Sequence, residues 1–277
     1  MVPIQFPGLH LSFPVGEDVF TIGNFALRWY GVVIAAGLLL GMLYGMKRAK
    51  EWHITVDDLS DIIIFSIIFA IIGARLYYVI FDPSRSTDFT SFFDLVNIRN
   101  GGLGIYGGII AAFLTAFVVC RIKKISVGAV FDLASLGFLI GQAIGRWGNF
   151  FNREAYGAAT NLPWRMVINE TGTGYHPCFL YESLWCLLGF VLLHIYSKRR
   201  RKFNGEIFLM YVMWYGFGRF FIEGLRTDSL YLGTMKVSQV VAILSFVTAL
   251  VLIIVRRVQI RDVKRNADYH SLYADTA

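Results

Sequence analysis

Seven stretches of this chain are apolar over about 20 residues each, the length an α-helix needs to cross the hydrocarbon core of a bilayer. They fall near residues 25–46, 61–81, 103–121, 127–146, 178–196, 205–221 and 236–255. Hydrocarbon offers no partner to a backbone N–H or C=O, so a segment that spans it must close its own hydrogen bonds as a helix. The fold expected is an all-α integral membrane protein with about seven transmembrane helices. It reads as a single polytopic domain over residues 1–277, ending in a basic tail from 256 to 277. Composition agrees: 56% of the residues are apolar and 16% charged, where a soluble domain carries about 25% charge.

The net charge of +7 would raise nucleic acid as a partner for a soluble chain. Here the basic residues sit in short blocks between apolar runs, which is how membrane topology is written. Lys47, Arg48 and Lys50 follow the first run, Arg121, Lys123 and Lys124 the third, and Lys198 to Lys202 the fifth. Arg256, Arg257, Arg261, Lys264 and Arg265 fill the tail, while the opposite side holds only Arg85, Arg99, Arg153, Arg165 and Arg226. The positive-inside rule then places the N-terminus outside and the C-terminus in the cytoplasm. Cys120, Cys178 and Cys186 lie in or beside apolar runs without paired spacing, so they read as small buried hydrophobes and not as a disulfide or zinc set. The first twenty residues hold no Lys or Arg, so no signal-peptide n-region is expected.

Residues 141–157 read GQAIGRWGNFFNREAYG and close the fourth run. Gly141, Gly145 and Gly148 form a face without side chains, which lets another helix or a lipid approach the backbone. Arg146 sits on that segment, and an arginine within an apolar run is costly enough to mark a functional site. The sixth run carries Tyr211, Tyr215, Arg219, Glu223 and Arg226 at spacings of four, four, four and three. Residues so spaced share a helix face. Two readings of that stripe are open: an internal salt-bridge ladder that lets the helix end snorkel, or one half of an anion site shared with Arg146. With the inferred topology Arg146 and Arg219 end at the same outer level, with Arg28, Trp29, Tyr30 and Arg75 near them. Two guanidiniums at that depth suit a phosphate, which they grip bidentately, and the phosphate nearest to hand is a phospholipid headgroup.

The segment NGGLGIYGG, residues 100–108, opens the third run. Its glycines could offer N–H groups to an anion at a helix N-terminus or could serve close helix packing, and Tyr106 lies among them as a hydroxyl donor. His176, with Pro177, Tyr181 and Glu182 after it, stands as a general base or as a histidine bonded to backbone at a helix start. No HExxH or carboxylate cluster is present, so no metal is expected. Asp132 reads as structural. Trp147, Tyr77, Tyr78, Trp164 and Trp214 fit an interfacial aromatic belt. A lipid transporter or flippase with an outer-leaflet headgroup site is the alternative function class. It would want polar groups along a path and two related halves, and neither is seen. A non-enzymatic scaffold has no evident use for two intramembrane arginines.

RWYG (28–31), GGLGIYGG (101–108), GRWGNFFNREAYG (145–157), HPCFLYES (176–183) and YGFGRFFIEGLRTDS (215–229) together resemble the prolipoprotein diacylglyceryl transferase family. The resemblance covers essentially the whole chain. It implies a multi-pass enzyme of the bacterial plasma membrane, active toward the outer leaflet, that performs the first step of lipoprotein maturation. The diacylglyceryl unit of phosphatidylglycerol passes to the thiol of the lipobox cysteine of a preprolipoprotein, and glycerol phosphate is released. By motif position Arg146 and Arg219 match the family's two essential arginines, Arg146 being the one tied to phosphatidylglycerol. Tyr30, Asn149, Glu154 and Tyr106 are the other catalytic candidates; Gly107, Gly108, Gly157, Tyr215 and Glu223 are the further candidates for binding the lipid. No cofactor is implied.

Tyr106 departs from the family pattern, because some members carry at that position a histidine proposed as the base for the thiol. Either another group takes the proton, or the positive field of the arginine pair favours the thiolate, which is the nucleophile.

Overall fold

A computed structural model describes residues 3–23, 25–81, 102–168, 171–227, 231–232 and 235–274. Arg85, Arg99, Asn100, Gly101, Asp228 and Ser229, named above, lie outside the described residues. The helices are α1 (Trp29–Arg48), α2 (Val56–Phe81), α3 (Ile105–Ile122), α4 (Val127–Phe151), α5 (Cys178–Arg199), α6 (Glu206–Leu225) and α7 (Val237–Ala274). Among the described residues six of them are long and apolar enough to cross a membrane. The exception is α6, whose Arg219 and Glu223 interrupt an otherwise apolar and aromatic run.

Two boundaries differ instructively from the sequence reading. The first apolar run starts with a strand, because Phe25–Arg28 pairs with Asp18–Ile22 as an antiparallel hairpin and α1 begins only at Trp29. At the hairpin's bend Gly23 has φ +58°, a conformation open to glycine at little cost. The fourth run continues past Arg146 to Phe151, so that arginine lies inside the last turns of α4 and not at its end.

The chain forms two compact units, Met1–Gly45 with Ala134–Ala277, and Met46–Leu133. In the first unit α1 and α4 run antiparallel on the glycine face foreseen in the sequence. A Cβ added at Gly41 would lie 2.7 Å from the Gly137 carbonyl oxygen, and one at Gly37 3.0 Å from that of Gly141. Further along, Ile34 lies over Gly145 and the Tyr30 ring over Gly148. The face therefore receives a helix. Close backbone approach of this kind replaces, between membrane helices, the hydrophobic driving force that lipid removes.

Helices α5 and α6 are joined by a reciprocal pair of indoles. Trp185 and Trp214 stack with centroids 4.1 Å apart. Each Nε1–H donates to the other's backbone carbonyl at 3.0 Å. Gly189 and Gly218, each four residues beyond a tryptophan, leave the room: a Cβ there would sit 2.3 and 2.1 Å from the opposing Nε1. Trp214 is thus an element of the helix contact and not of an interfacial belt.

A four-stranded antiparallel sheet takes Leu11–Phe13, Ile4–Phe6, Met166–Val167 and Gly174–Tyr175 in that spatial order. Ile4, Phe6 and Met166 bury against Phe150 of α4 and Phe179 of α5, so the sheet covers the end where α4 stops and α5 starts. At the other end of this unit Glu206, fully buried, takes Arg257 Nη2 at 2.7 Å, the Tyr196 hydroxyl at 3.1 Å and the Lys202 N–H at 2.6 Å. The unit thus has one end that carries Lys198 to Lys202 with Arg256 and Arg257, and one end roofed by sheet.

In the second unit α2 and α3 cross on glycine as well. A Cβ at Gly107 would meet the Gly73 carbonyl oxygen at 2.3 Å, and Gly108 faces Ala70 and Ala74. The Gly104 N–H donates to Ala74 O at 2.8 Å. Lys123, just past α3, is held 2.7 Å from both Asp58 and Asp61, and donating to these carboxylates holds its proton more firmly than usual.

Candidate active site

The last turns of α4, the first of α5 and the last of α6 meet at the sheet-roofed end of the first unit. Glu182, in the second turn of α5, is the carboxylate on which they converge. Its Oε1 is 2.5 Å from Arg146 Nη2 and its Oε2 is 3.3 Å from Arg219 Nη1. The Tyr215 hydroxyl donates to Oε1 at 3.4 Å. Arg219 in turn holds Glu223, one turn on, at 2.6 Å. Both carboxylate side chains are 4% exposed, against 23% for Arg146 and 18% for Arg219. The acids are thus the more buried partners and the cations the more accessible ones. The two arginines lie 73 positions apart in sequence (219 − 146) and share one carboxylate.

The indole pair explains why α5 and α6 meet in this register. Trp185 stands three residues after Glu182 and Trp214 five before Arg219. Fixing Trp185 against Trp214 sets how far the antiparallel helices slide, and so which turn of α6 Glu182 faces.

Around this centre Arg146 Nη1 reaches Asn149 Oδ1 at 3.4 Å, and Asn149 Nδ2 donates to Glu154 Oε1 at 2.8 Å. The turn that presents Glu154 is bent by left-handed backbone at Arg153 and Ala155, φ 51° and 55°. It is tied down where Arg153 Nη2 donates to Val15 O at 2.9 Å. Deeper in the bundle Gln142 donates to the Tyr211 hydroxyl at 2.9 Å and accepts from the Cys186 thiol at 3.8 Å. Lys236, at the start of α7, is buried and donates to the carbonyls of Glu223 and Arg226, at 2.7 Å in the first case. It supplies a cation where the C-terminus of α6 leaves its carbonyls without helical partners.

Gly157 is a crossing point. A Cβ there would come within 2.8–2.9 Å of His176 Cβ, Cys178 Sγ and Leu225 O. Its N–H donates to His176 O at 2.9 Å. The His176 ring lies 3.3 Å from the Tyr181 hydroxyl, which accepts the Trp164 indole N–H at 2.7 Å.

The first unit therefore gathers Arg146, Arg219, Asn149, Glu154, Tyr215 and Glu223, with Tyr30 and Gly157 packed beside them. Tyr106, Gly107 and Gly108 belong to the second unit. Tyr106 is 62% exposed beside Tyr77, and the two glycines turn onto α2, where close packing occupies them. Three features were missed in the sequence: Glu182 as a bridge, Gln142, and the Trp185–Trp214 clasp. Glu182 carried a signal, being the sole carboxylate in the apolar run 178–196. Carboxylates touch both arginines, which weakens the positive field that would favour a thiolate.

These features define a class: a polytopic helical membrane protein whose bundle end presents two partly exposed guanidiniums seated on buried carboxylates. The family model described as prolipoprotein diacylglyceryl transferase matches residues 17–255. Over 241 residues the chain is 46% identical to the phosphatidylglycerol–prolipoprotein diacylglyceryl transferase of Finegoldia magna, covering 87% of this chain and 96% of that one. It is 44% identical to transferase 1 of that name from Clostridium perfringens (85% and 92% covered) and 44% identical to the one from Listeria innocua (89% and 91%). The chain belongs to the prolipoprotein diacylglyceryl transferase family.

Proposed function

We propose that this chain transfers the diacylglyceryl group of phosphatidylglycerol to the lipobox cysteine of preprolipoproteins, in the plasma membrane of a bacterium. Family membership supports the reaction, and the observation that carries the site is the meeting of Arg146 and Arg219 on Glu182. The lipid enters between helices, and its phosphate takes the accessible N–H groups of the two arginines. The cysteine sulfur attacks the glycerol carbon that bears the phosphate ester. A C–S bond forms, the C–O bond breaks with its electron pair leaving on phosphate, and the thiol proton passes to the departing glycerol phosphate or to water. Charge grows on the departing phosphate in the transition state, so arginines fixed beforehand stabilise it more than the ground state.

The site faces the outer leaflet in this reading. Support comes from Lys198 to Lys202, Arg256 and Arg257, which stand at the opposite end of the same unit, the end the positive-inside rule assigns to the cytoplasm. Asn149 and Glu154 orient Arg146, while Tyr215 and Glu223 orient Glu182 and Arg219. The test mixes purified protein, phosphatidylglycerol and a lipobox peptide and weighs the peptide. A gain of one diacylglyceryl unit on the cysteine peptide and none on its serine counterpart is expected. A peptide of unchanged mass with folded protein overturns the proposal.

A further inference from the structure

The arginine pair holds more opposing charge than a phosphate grip requires. The four groups in direct contact, Arg146, Arg219, Glu182 and Glu223, sum to zero. Tyr215 and Asn149 add neutral contacts, a donor to Glu182 and an acceptor for Arg146. Arg226, beyond this contact set, is near enough for its charge to act on Arg146. Glu182 does two things at once. Its two oxygens touch one arginine each, which ties both guanidiniums to a single carboxylate. Its charge also opposes any second anion that arrives on their accessible side.

Resting on the function proposed above, we infer that Glu182, backed by Glu223, is a built-in counter-ion that keeps phosphate binding weak enough for turnover. The substrate is a phosphodiester of one negative charge, and the product is a phosphomonoester that carries up to two. Two unopposed guanidiniums in a water-poor site would hold that product more firmly than the substrate and stall the cycle. A carboxylate in contact with them lowers the affinity for both and lowers it more for the product. Removing Glu182 has two opposing effects. Loss of orientation weakens binding as losing a hydrogen bond does, and loss of like-charge repulsion a few ångströms away strengthens it. At the effective dielectric of a partly buried site the Coulomb part is the larger, so the sign of the net change is toward tighter binding.

The experiment is Glu182→Gln, which keeps shape and hydrogen-bonding capacity and removes the charge. Inhibition by free glycerol phosphate and binding of phosphatidylglycerol are measured separately, with phosphatidylcholine vesicles as the zwitterionic control. Glycerol phosphate inhibition tighter by about tenfold or more is expected, with KM for phosphatidylglycerol falling alongside kcat and phosphatidylcholine unaffected. A purely structural residue would raise KM or leave it alone. Glu223→Gln removes the other carboxylate and stands in if the first variant does not fold; the same tightening, smaller, is expected. Unchanged or weaker inhibition in the folded variant overturns the inference and leaves the function intact. Failure of the unaltered protein to transfer lipid from phosphatidylglycerol would instead remove the function on which it rests.

Discussion

Arg146 and Glu182 show what a single residue type contributes. An arginine offers a planar fork that a lysine cannot reproduce at equal charge. Arg146→Lys is therefore expected to lose about 10²–10³ in transfer rate, the usual effect of removing one well-placed donor; lipid transfer to the lipobox peptide, with folding checked by melting temperature, measures it. Tyr106 is assigned no proton-accepting role, so Tyr106→Phe should keep measurable transfer, and total loss with intact folding and lipid binding would contradict that. At this scale the sequence disclosed the arginines, because a charge inside an apolar run is conspicuous. Glu182 was legible only as one more polar residue near a helix start, since its meaning depends on two arginines from other helices. Gly107 and Gly108 illustrate the reverse. Glycines near a helix start read equally as an anion cradle or as a contact, and only the approach of α2 shows which role packing gives them.

Helix pairs here are held by small residues opposite backbone or indole. The spacing of Gly141, Gly145 and Gly148 foretold a close approach on α4 by a helix or a lipid but not the partner, which is α1, where Gly37 faces Gly141 and Gly41 faces Gly137. Gly41→Leu should force that backbone apart and lower stability by about 1–3 kcal/mol, the scale of an overpacked contact, read as a drop in detergent melting temperature. The tryptophan clasp was invisible beforehand because Trp214 on an apolar helix looks the same whether it meets lipid or another tryptophan. Gly218→Ala places a methyl against the Trp185 ring and should shift the register of α5 on α6. Transfer should then fall more than the melting temperature alone explains, because Glu182 and Arg219 slip out of line. Equal loss of stability with full activity in the remaining folded protein would show that the clasp only holds the helices together. The strands escaped the sequence reading for a plainer reason: among the described residues none exceeds five residues, too short for alternation to register.

For the whole molecule, hydropathy and the distribution of Lys and Arg go furthest. Apolar length revealed the helices, and the basic blocks give the proposed orientation. A fluorescent protein that matures only in the cytoplasm, fused after α7, should light up; a dark fusion at normal expression would reverse the orientation and move the arginine pair to the inner leaflet. The site itself is a property of assembly. Arg146, Glu182 and Arg219 come from three helices, and the claim that matters is that both arginines act on one phosphate. The most direct measurement is the transfer rate of Arg146→Lys, Arg219→Lys and the double variant in a single cycle. A shared grip predicts strong non-additivity, with the double variant within about tenfold of the worse single one. Losses that simply multiply would mean that the two guanidiniums work independently, and the joint hold on the phosphate would be contradicted.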